Sequence, residues 1–418
     1  MKLFDVVAIL LTLTAMLSYF NHRYLRLHPS VGILLISLVL SLLLIGLGRL
    51  GFGIDEAARK FMQHVEFGDA LLTWMLGFLL FAGALTVDIG ELRRQWQVTA
   101  FLSTAGTVGS MFIVAALMYW MVRLIGMSLP WIDCLLFGAL ISPTDPVAVI
   151  AVTRQAGAGK TIDTVVSCES LLNDGVGVVL FLTILQAAAA PGGISASGVL
   201  FILARETGLG IVIGFLTGVI IYRFLKNTRN FQVEMLLTLA LVMGTYSLAS
   251  ALGASGPIAV VVAGLLIGNR GTIFRMPAQV NLDLERFWEL IDEVINAILF
   301  LLIGVEMLVI AYSARYFLAA MIAIPIVLLA RTAIVAATVG LVPVRPRVQW
   351  STAAILIWGG LRGGLAIAMA LSLPKTPQRD PIIAITYGVV CFSILVQGTT
   401  IRQIVQRAIL FSKAETSR

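Results

Sequence analysis

Runs of about twenty apolar residues recur along almost the whole of this chain, each long enough as a helix to cross ~30 Å of bilayer hydrocarbon. Thirteen such segments can be read, at 3–20, 31–48, 70–87, 98–121, 131–153, 161–187, 200–222, 233–252, 256–269, 286–310, 316–341, 350–373 and 381–401. The composition agrees, with 59% hydrophobic and only 12% charged residues, outside the range of an ordinary soluble domain. No polar block between the segments is large enough for a soluble domain, so residues 1–418 read as one all-α polytopic membrane domain. The first run follows Lys2 and has the length of a secretory signal. Asp5 within it and NHRYLRLHPS after it, with no small-residue cleavage pattern, predict a retained helix instead. Gly256-Pro257 opens the short ninth segment with proline in the first turn, where its missing N–H costs nothing. Arg205 and Glu206 predict an interfacial turn ahead of the seventh.

The net charge of +7 would suggest a nucleic-acid partner in a soluble chain. Here the basic residues flank apolar segments, which points to membrane orientation and lipid headgroups, with no nucleic acid. Loops on one face carry eighteen lysines and arginines against eight on the other. Positive charge stays on the cytoplasmic side, so the N terminus is expected outside and the C terminus in the cytoplasm of a cell membrane. Cys134, Cys168 and Cys391 all fall within apolar segments and form no metal-binding or disulfide pattern. His22, His28 and His64 fall in loops and read as solvated. No cofactor is expected.

Polar residues near the bilayer centre carry the chemistry. In segment five, ISPTDP places Pro143 and Pro146 around Thr144-Asp145. Proline lacks an amide hydrogen and disfavours helix at the residue before it, so this helix is expected to open there and free backbone carbonyls. Such an opening is tolerated only where protein or water satisfies the backbone. Asp174 falls at the middle of segment six. Glu169 and Asn173 share one helix face there, and Ser170 and Asp174 the adjacent one. In segment twelve Arg362 lies between Gly359-Gly360 and Gly363-Gly364, which allow close backbone approach or unwinding. A charge at this depth costs ~2.5–3.5 kcal/mol or more and normally pairs or lines a pathway. We expect Arg362 to pair with Glu169, leaving Asp145 and Asp174 for a mobile cation.

Segments five and twelve are seven apart and therefore cross the membrane in opposite senses. Taking 3–187 and 233–401 as two six-helix halves, with 200–222 as a linker helix, makes each broken helix the fifth of its half. That is the inverted-repeat layout of secondary transporters, with the site at the repeat interface.

TDPVAV (144–149), ESLLNDGVGVV (169–179) and WGGLRGGLAIAMAL (358–371) resemble, in order, signatures of the NhaP and sodium/proton exchanger branch of the cation:proton antiporters. FWELIDEVINAILFLLIGVE (287–306) extends the similarity. The resemblance implies an NhaA-like antiporter fold of thirteen helices, with unwound helices five and twelve crossing. It also implies a homodimer whose core domain moves against a dimerisation domain. Asp174 would be the ion- and proton-binding carboxylate, with Asp145, Ser170 and the Thr144 carbonyl as further ligands. Glu169 with Arg362 would match the family's structural ion pair, and Asn173 its Asn-Asp, electroneutral version. One departure stands out: many relatives carry an acid in helix three where this chain has Ala82, and Asp88 is the nearest carboxylate. The long regulatory tail of the animal exchangers is not expected.

Carboxylates, a hydroxyl and a carbonyl form a hard oxygen donor set suited to Na⁺ or Li⁺. A proton competing with the cation for Asp174, combined with alternating access, gives exchange without ATP. One proton replacing one Na⁺ leaves the charge of the site unchanged, so the exchange is expected to be electroneutral, 1:1. K⁺/H⁺ exchange is the alternative, since cavity size is not visible in sequence. No TVGYG-like channel filter is present. Gly253-Ala254-Ser255-Gly256 fits the GxSG pattern of intramembrane serine proteases, but all three histidines precede residue 65, and a helix-connecting turn accounts for it better. Asp292 and Glu293 are expected to be solvated or paired near a helix end, and Glu306 to border a vestibule.

Overall fold

The structure is a computed structural model that describes residues 3–27, 29–47, 69–156, 160–190, 196–228, 230–268, 278–306, 313–341 and 350–416. His28 and His64 lie outside the described residues. The helices are α1 (Leu3–Phe20), α2 (Pro29–Leu47), α3 (Asp69–Leu85), α4 (Ile89–Phe101), α5 (Thr107–Leu124), α6 (Trp131–Ile141), α7 (Val147–Ala156), α8 (Lys160–Ala189) and α9 (Ala196–Lys226). They continue with α10 (Phe231–Ala251), α11 (Gly256–Gly268), α12 (Ala278–Glu306), α13 (Ala314–Leu341), α14 (Trp350–Trp358), α15 (Gly364–Leu371), α16 (Arg379–Phe392) and α17 (Gly398–Thr416). Helix falls at every one of the thirteen positions read from hydropathy. Seven continuous helical runs among the described residues are long and apolar enough to cross a bilayer, which makes this a multi-pass membrane protein.

Two of the thirteen segments are broken where the sequence predicts. Between α6 and α7 the chain opens over 142–146, at the two prolines, and between α14 and α15 it opens over 359–363, at the glycines. The two openings meet. The Asp145 N–H donates to the Leu361 carbonyl at 2.8 Å, forming an isolated antiparallel bridge. Each unwound strand thus supplies a backbone partner that its own helix no longer can.

Segments four and thirteen are also irregular. A wide π turn, Leu102–Gly106, joins α4 to α5, and another, Ser393–Gln397, joins α16 to α17. Such bulges turn side chains that a straight helix would aim elsewhere. The turn expected at Arg205 and Glu206 does not form, because α9 runs through both as one helix. No glycine or proline interrupts 199–207, and Arg205 is exposed, so its long side chain can extend from a helix without breaking it. The Glu206 carbonyl instead accepts the Ser255 N–H at 3.0 Å.

One apolar core gathers Phe137, Leu140, Phe181, Leu301 and Val390 from α6, α8, α12 and α16. A second surrounds Phe81 and Trp288, between α3, α10, α11 and α12. Trp288 is anchored there by its indole N–H, 3.1 Å from the Thr238 hydroxyl. Glycine sets the spacing of α5 and α6: a Cβ at Gly138 would lie 2.4 Å from the Met111 carbonyl oxygen. Because that obstacle is backbone, Gly138→Val should destabilise by about 1–3 kcal/mol, read as a lower thermal-unfolding midpoint of the purified protein in detergent.

Candidate functional site

The crossing of the two unwound strands brings four helix ends together. α6 and α14 arrive with their C-terminal, carbonyl ends, while α7 and α15 leave with their N-terminal, amide ends. Helix dipoles place partial negative charge at the first pair and partial positive charge at the second. The side chains present match that pattern. Arg362 Nη1 donates to the carbonyls of Ser142 and Pro143, at 2.5 and 2.7 Å, at the end of α6. The Asp145 carboxylate accepts from the Val147 N–H at 3.0 Å, at the start of α7.

This chemistry requires close approach. A Cβ on Gly363 would fall 2.2 Å from Asp145 Oδ2, so glycine is what lets the two strands come together at that carboxylate. A Cβ on Gly177 would meet the Pro143 ring at 2.3 Å, which brings α8 against the break in segment five. Along α8, the Ser170 hydroxyl donates to the Thr144 carbonyl. The Asn173 amide donates to the Thr144 hydroxyl at 2.9 Å and accepts the Thr144 N–H at 3.3 Å. Ser170 and Asn173 therefore hold Thr144 from three sides.

Asp174 stands one residue further on and takes no hydrogen bond among the described residues. The charges bearing on it are Asp145 and Arg362. With Thr144, Asp145 and Ser170 it lines a cavity of about 970 Å³ that also reaches Asp292 and Asn296 on α12. The same cavity extends to Asp88 and Arg154, at the ends of their elements, so it leads from the middle of the protein to one end of the bundle. The residues expected at the site from sequence, Asp174, Asp145, Ser170, Thr144 and Asn173, are brought together.

The expected pairing of Glu169 with Arg362 is not made. Glu169 is buried and is held instead by Arg331 of α13, whose Nη1 and Nη2 both reach the carboxylate, the latter at 2.9 Å. Arg331 Nε donates to the Leu356 carbonyl at 2.9 Å. Arg362 Nη1 bonds to the carbonyls at the end of α6, and among the described residues no hydrogen bond or ion pair joins Arg362 to Glu169. Gly360 makes the room: a Cβ there would sit 2.7 Å from Arg331 Nε. Sequence reasoning missed Arg331, although the signal was present, since it is an arginine near the middle of an apolar run.

A profile of the family described as "Sodium/hydrogen exchanger, transmembrane" matches residues 9–407. The chain belongs to the sodium/hydrogen exchanger family. The Na⁺/H⁺ antiporter NhaP of Pseudomonas aeruginosa is 44% identical to this exchanger over 412 residues, 96% of each chain. The Na⁺/H⁺ antiporter NhaG of Bacillus atrophaeus is 34% identical, covering 90% of this chain and 71% of its own. The fold matches that of the sodium proton antiporter MjNhaP1 of Methanocaldococcus jannaschii, with a TM-score of 0.77 at 20% identity, over 97% of this chain and 98% of that one.

Other residues of this exchanger separate more simply. Ala82 lines the cavity, so a small apolar side chain occupies the helix-three position where the family resemblance expects an acid. Asp88 does not stand in at that depth, because it caps α4, accepting from the N–H groups of Gly90 and Glu91. Ser255 caps α11 by accepting the Ile258 N–H at 3.3 Å, a structural use of the GASG turn. Asp292 faces the cavity rather than an outer helix end, while the Glu306 side chain lies outside the described residues.

The Glu169–Arg331 assignment yields a direct test. Removing one partner strands a buried charge, so Arg331→Gln should destabilise by about 3–5 kcal/mol. Glu169→Gln added to Arg331→Gln should recover part of that loss, and more than it recovers when added to Arg362→Gln. Thermal unfolding of the four-member cycles measures this, and coupling of Glu169 to Arg362 alone would contradict the pairing.

Proposed function

We propose that this protein is a secondary-active antiporter that exchanges Na⁺, or Li⁺, for H⁺ at Asp174. The observation that carries the reading is the Asp174 carboxylate facing a cavity beside Asp145, at the crossing of two unwound helices. Its relatives in P. aeruginosa and B. atrophaeus are named Na⁺/H⁺ antiporters, which supports the same cargo here. Asp174, Asp145, the Ser170 hydroxyl and the Thr144 carbonyl supply oxygen ligands for the cation. Asn173 holds Thr144, and Glu169 fixes α8 to α13 through Arg331.

The charges favour electroneutral exchange. Glu169 and Arg331 neutralise each other. Asp145, Asp174 and Arg362 together carry one net negative charge, which a single Na⁺ or a single H⁺ balances. The two cargoes therefore alternate on a site that is neutral with either one bound and costly to move when empty, since an uncompensated charge in low dielectric is penalised. This is a reason for the empty site to stay in place and for exchange to be obligatory.

The domain reading follows. Residues 3–187 and 233–401 form inverted repeats joined by a linker helix at 200–222, and the antiparallel contact of Asp145 with Leu361 supports it. The excess of basic residues in one set of loops supports a cytoplasmic C terminus and an outer N terminus, and the bacterial relatives support an inner-membrane location. The cavity then opens inward, because Asp88 and Arg154 lie at the ends next to Arg93, Arg94 and Lys160. A homodimer is the assembly the family resemblance implies.

In everted vesicles carrying a ΔpH dye, Na⁺ and Li⁺ should dequench the signal through the wild-type protein and not through Asp174→Asn. A K⁺ response equal to that of Na⁺ would shift the cargo to K⁺. In proteoliposomes without a pH gradient, an imposed voltage should leave the rate of 1:1 exchange unchanged; acceleration by voltage would reject electroneutrality.

A further inference from the structure

The unwound strand at 359–363 is gripped from a side that the ion site does not explain. The Arg362 N–H donates to the Ser393 hydroxyl at 2.8 Å. The Ser393 hydroxyl in turn donates to Gln397 Oε1 at 2.8 Å, and Gln397 Nε2 donates to the Trp358 carbonyl at 3.0 Å. Ser393 and Gln397 are both buried, and they open and close the π turn between α16 and α17. The Trp358 indole N–H, 2.9 Å from the Thr400 hydroxyl, ties α14 to the next turn of α17.

The geometry reaches the cation ligands through one peptide unit. The Leu361 carbonyl and the Arg362 N–H belong to the same planar group, and in a trans peptide they point in opposite directions. Asp145 holds the carbonyl side and Ser393 the amide side. A shift at Ser393 therefore tilts a rigid plane whose other edge is bonded to Asp145. Arg362 carries the same displacement to the Ser142 and Pro143 carbonyls.

We propose that Ser393 and Gln397 form a clasp that positions the unwound 359–363 strand, and through it Asp145, for cation binding. The inference rests on the antiport reading above and adds two positioning residues from segment thirteen. Gln397 has the central part: its carbonyl orients the Ser393 hydroxyl so that a lone pair faces Arg362, while its amide satisfies the last carbonyl of α14. Loss of either function leaves a backbone group without a partner at membrane depth.

The test uses the full-length protein in proteoliposomes, with Asp174→Asn as the inactive control. Gln397→Leu should raise the apparent KM for Na⁺ about tenfold while the maximal rate changes less than about twofold; Ser393→Ala should shift it in the same direction. Gln397→Glu supplies a readout that mere structural damage would not move. Its protonated carboxyl can accept from Ser393 and donate to Trp358, whereas the ionised form cannot donate. The KM of Gln397→Glu relative to wild type should therefore stay near one at low pH and climb as pH rises. Hydrogen–deuterium exchange should show faster exchange in peptides covering 355–366 of Gln397→Leu.

An unchanged KM in Gln397→Leu together with a flat ratio for Gln397→Glu would overturn the positioning role, as would unchanged hydrogen exchange at 355–366. The exchange measurement needs no transport, so it judges the clasp even if the wild-type protein proves not to exchange Na⁺ for H⁺. That second result would overturn the antiport reading alone.

Discussion

Hydrocarbon supplies no hydrogen bonds, so an unpaired peptide group inside a membrane costs several kcal/mol. Ordinary spanning helices meet that demand internally, but here two helices come apart at the same depth. The strands that result are stable because each supplies what the other lacks. Asp145 bonds to Leu361 across the gap, Arg362 collects the carbonyls at the end of α6, and Asp145 caps α7. The break, the crossing and the charges at the crossing are one arrangement, and the position of Asp174 depends on it.

Around that crossing the fixed charges divide into two sets. Glu169 and Arg331 are mutually satisfied by a two-pronged contact and tie α8 to α13, well suited to arginine's planar fork. Asp145, Asp174 and Arg362 are not closed in this way, because Arg362 spends its hydrogen bonds on carbonyl groups. A buried ion pair that is already complete offers little to a cargo ion. A carboxylate whose positive neighbour is engaged elsewhere retains its lone pairs for a cation or a proton.

Much of this was legible in the sequence, for identifiable reasons. The positions of the helices follow from apolar length, and both breaks from local backbone chemistry: Pro143 and Pro146 on one side, the paired glycines on the other. Asp174, Asp145, Ser170, Thr144 and Asn173 could be singled out because polar groups are costly in an apolar run. The partner of Glu169 could not be chosen from spacing, since Arg331 and Arg362 are both buried arginines and only the direction of their side chains separates them. The continuity of α9 through Arg205 and Glu206 was also missed, because a charged pair marks an interface only when the chain stops being helical there. The π turns left no sequence signal of their own. They come from packing, and so did the contacts of Ser393 and Gln397.

The cavity beside Asp174 reaches Asp88 and Arg154, at the ends of their elements. Close by, α6 and α15 contribute Phe137, Leu140, Ile141, Ile367 and Ala370 to the buried apolar core. Close-packed apolar side chains leave no room for water, and an electric field falls more steeply across such packing than across a water-filled cavity. On the exchange proposed above, a cation leaving the site and the proton that replaces it would cross the same drop in opposite directions. Their electrical work would then cancel, so that turnover would follow the two concentration gradients even beside a steep voltage.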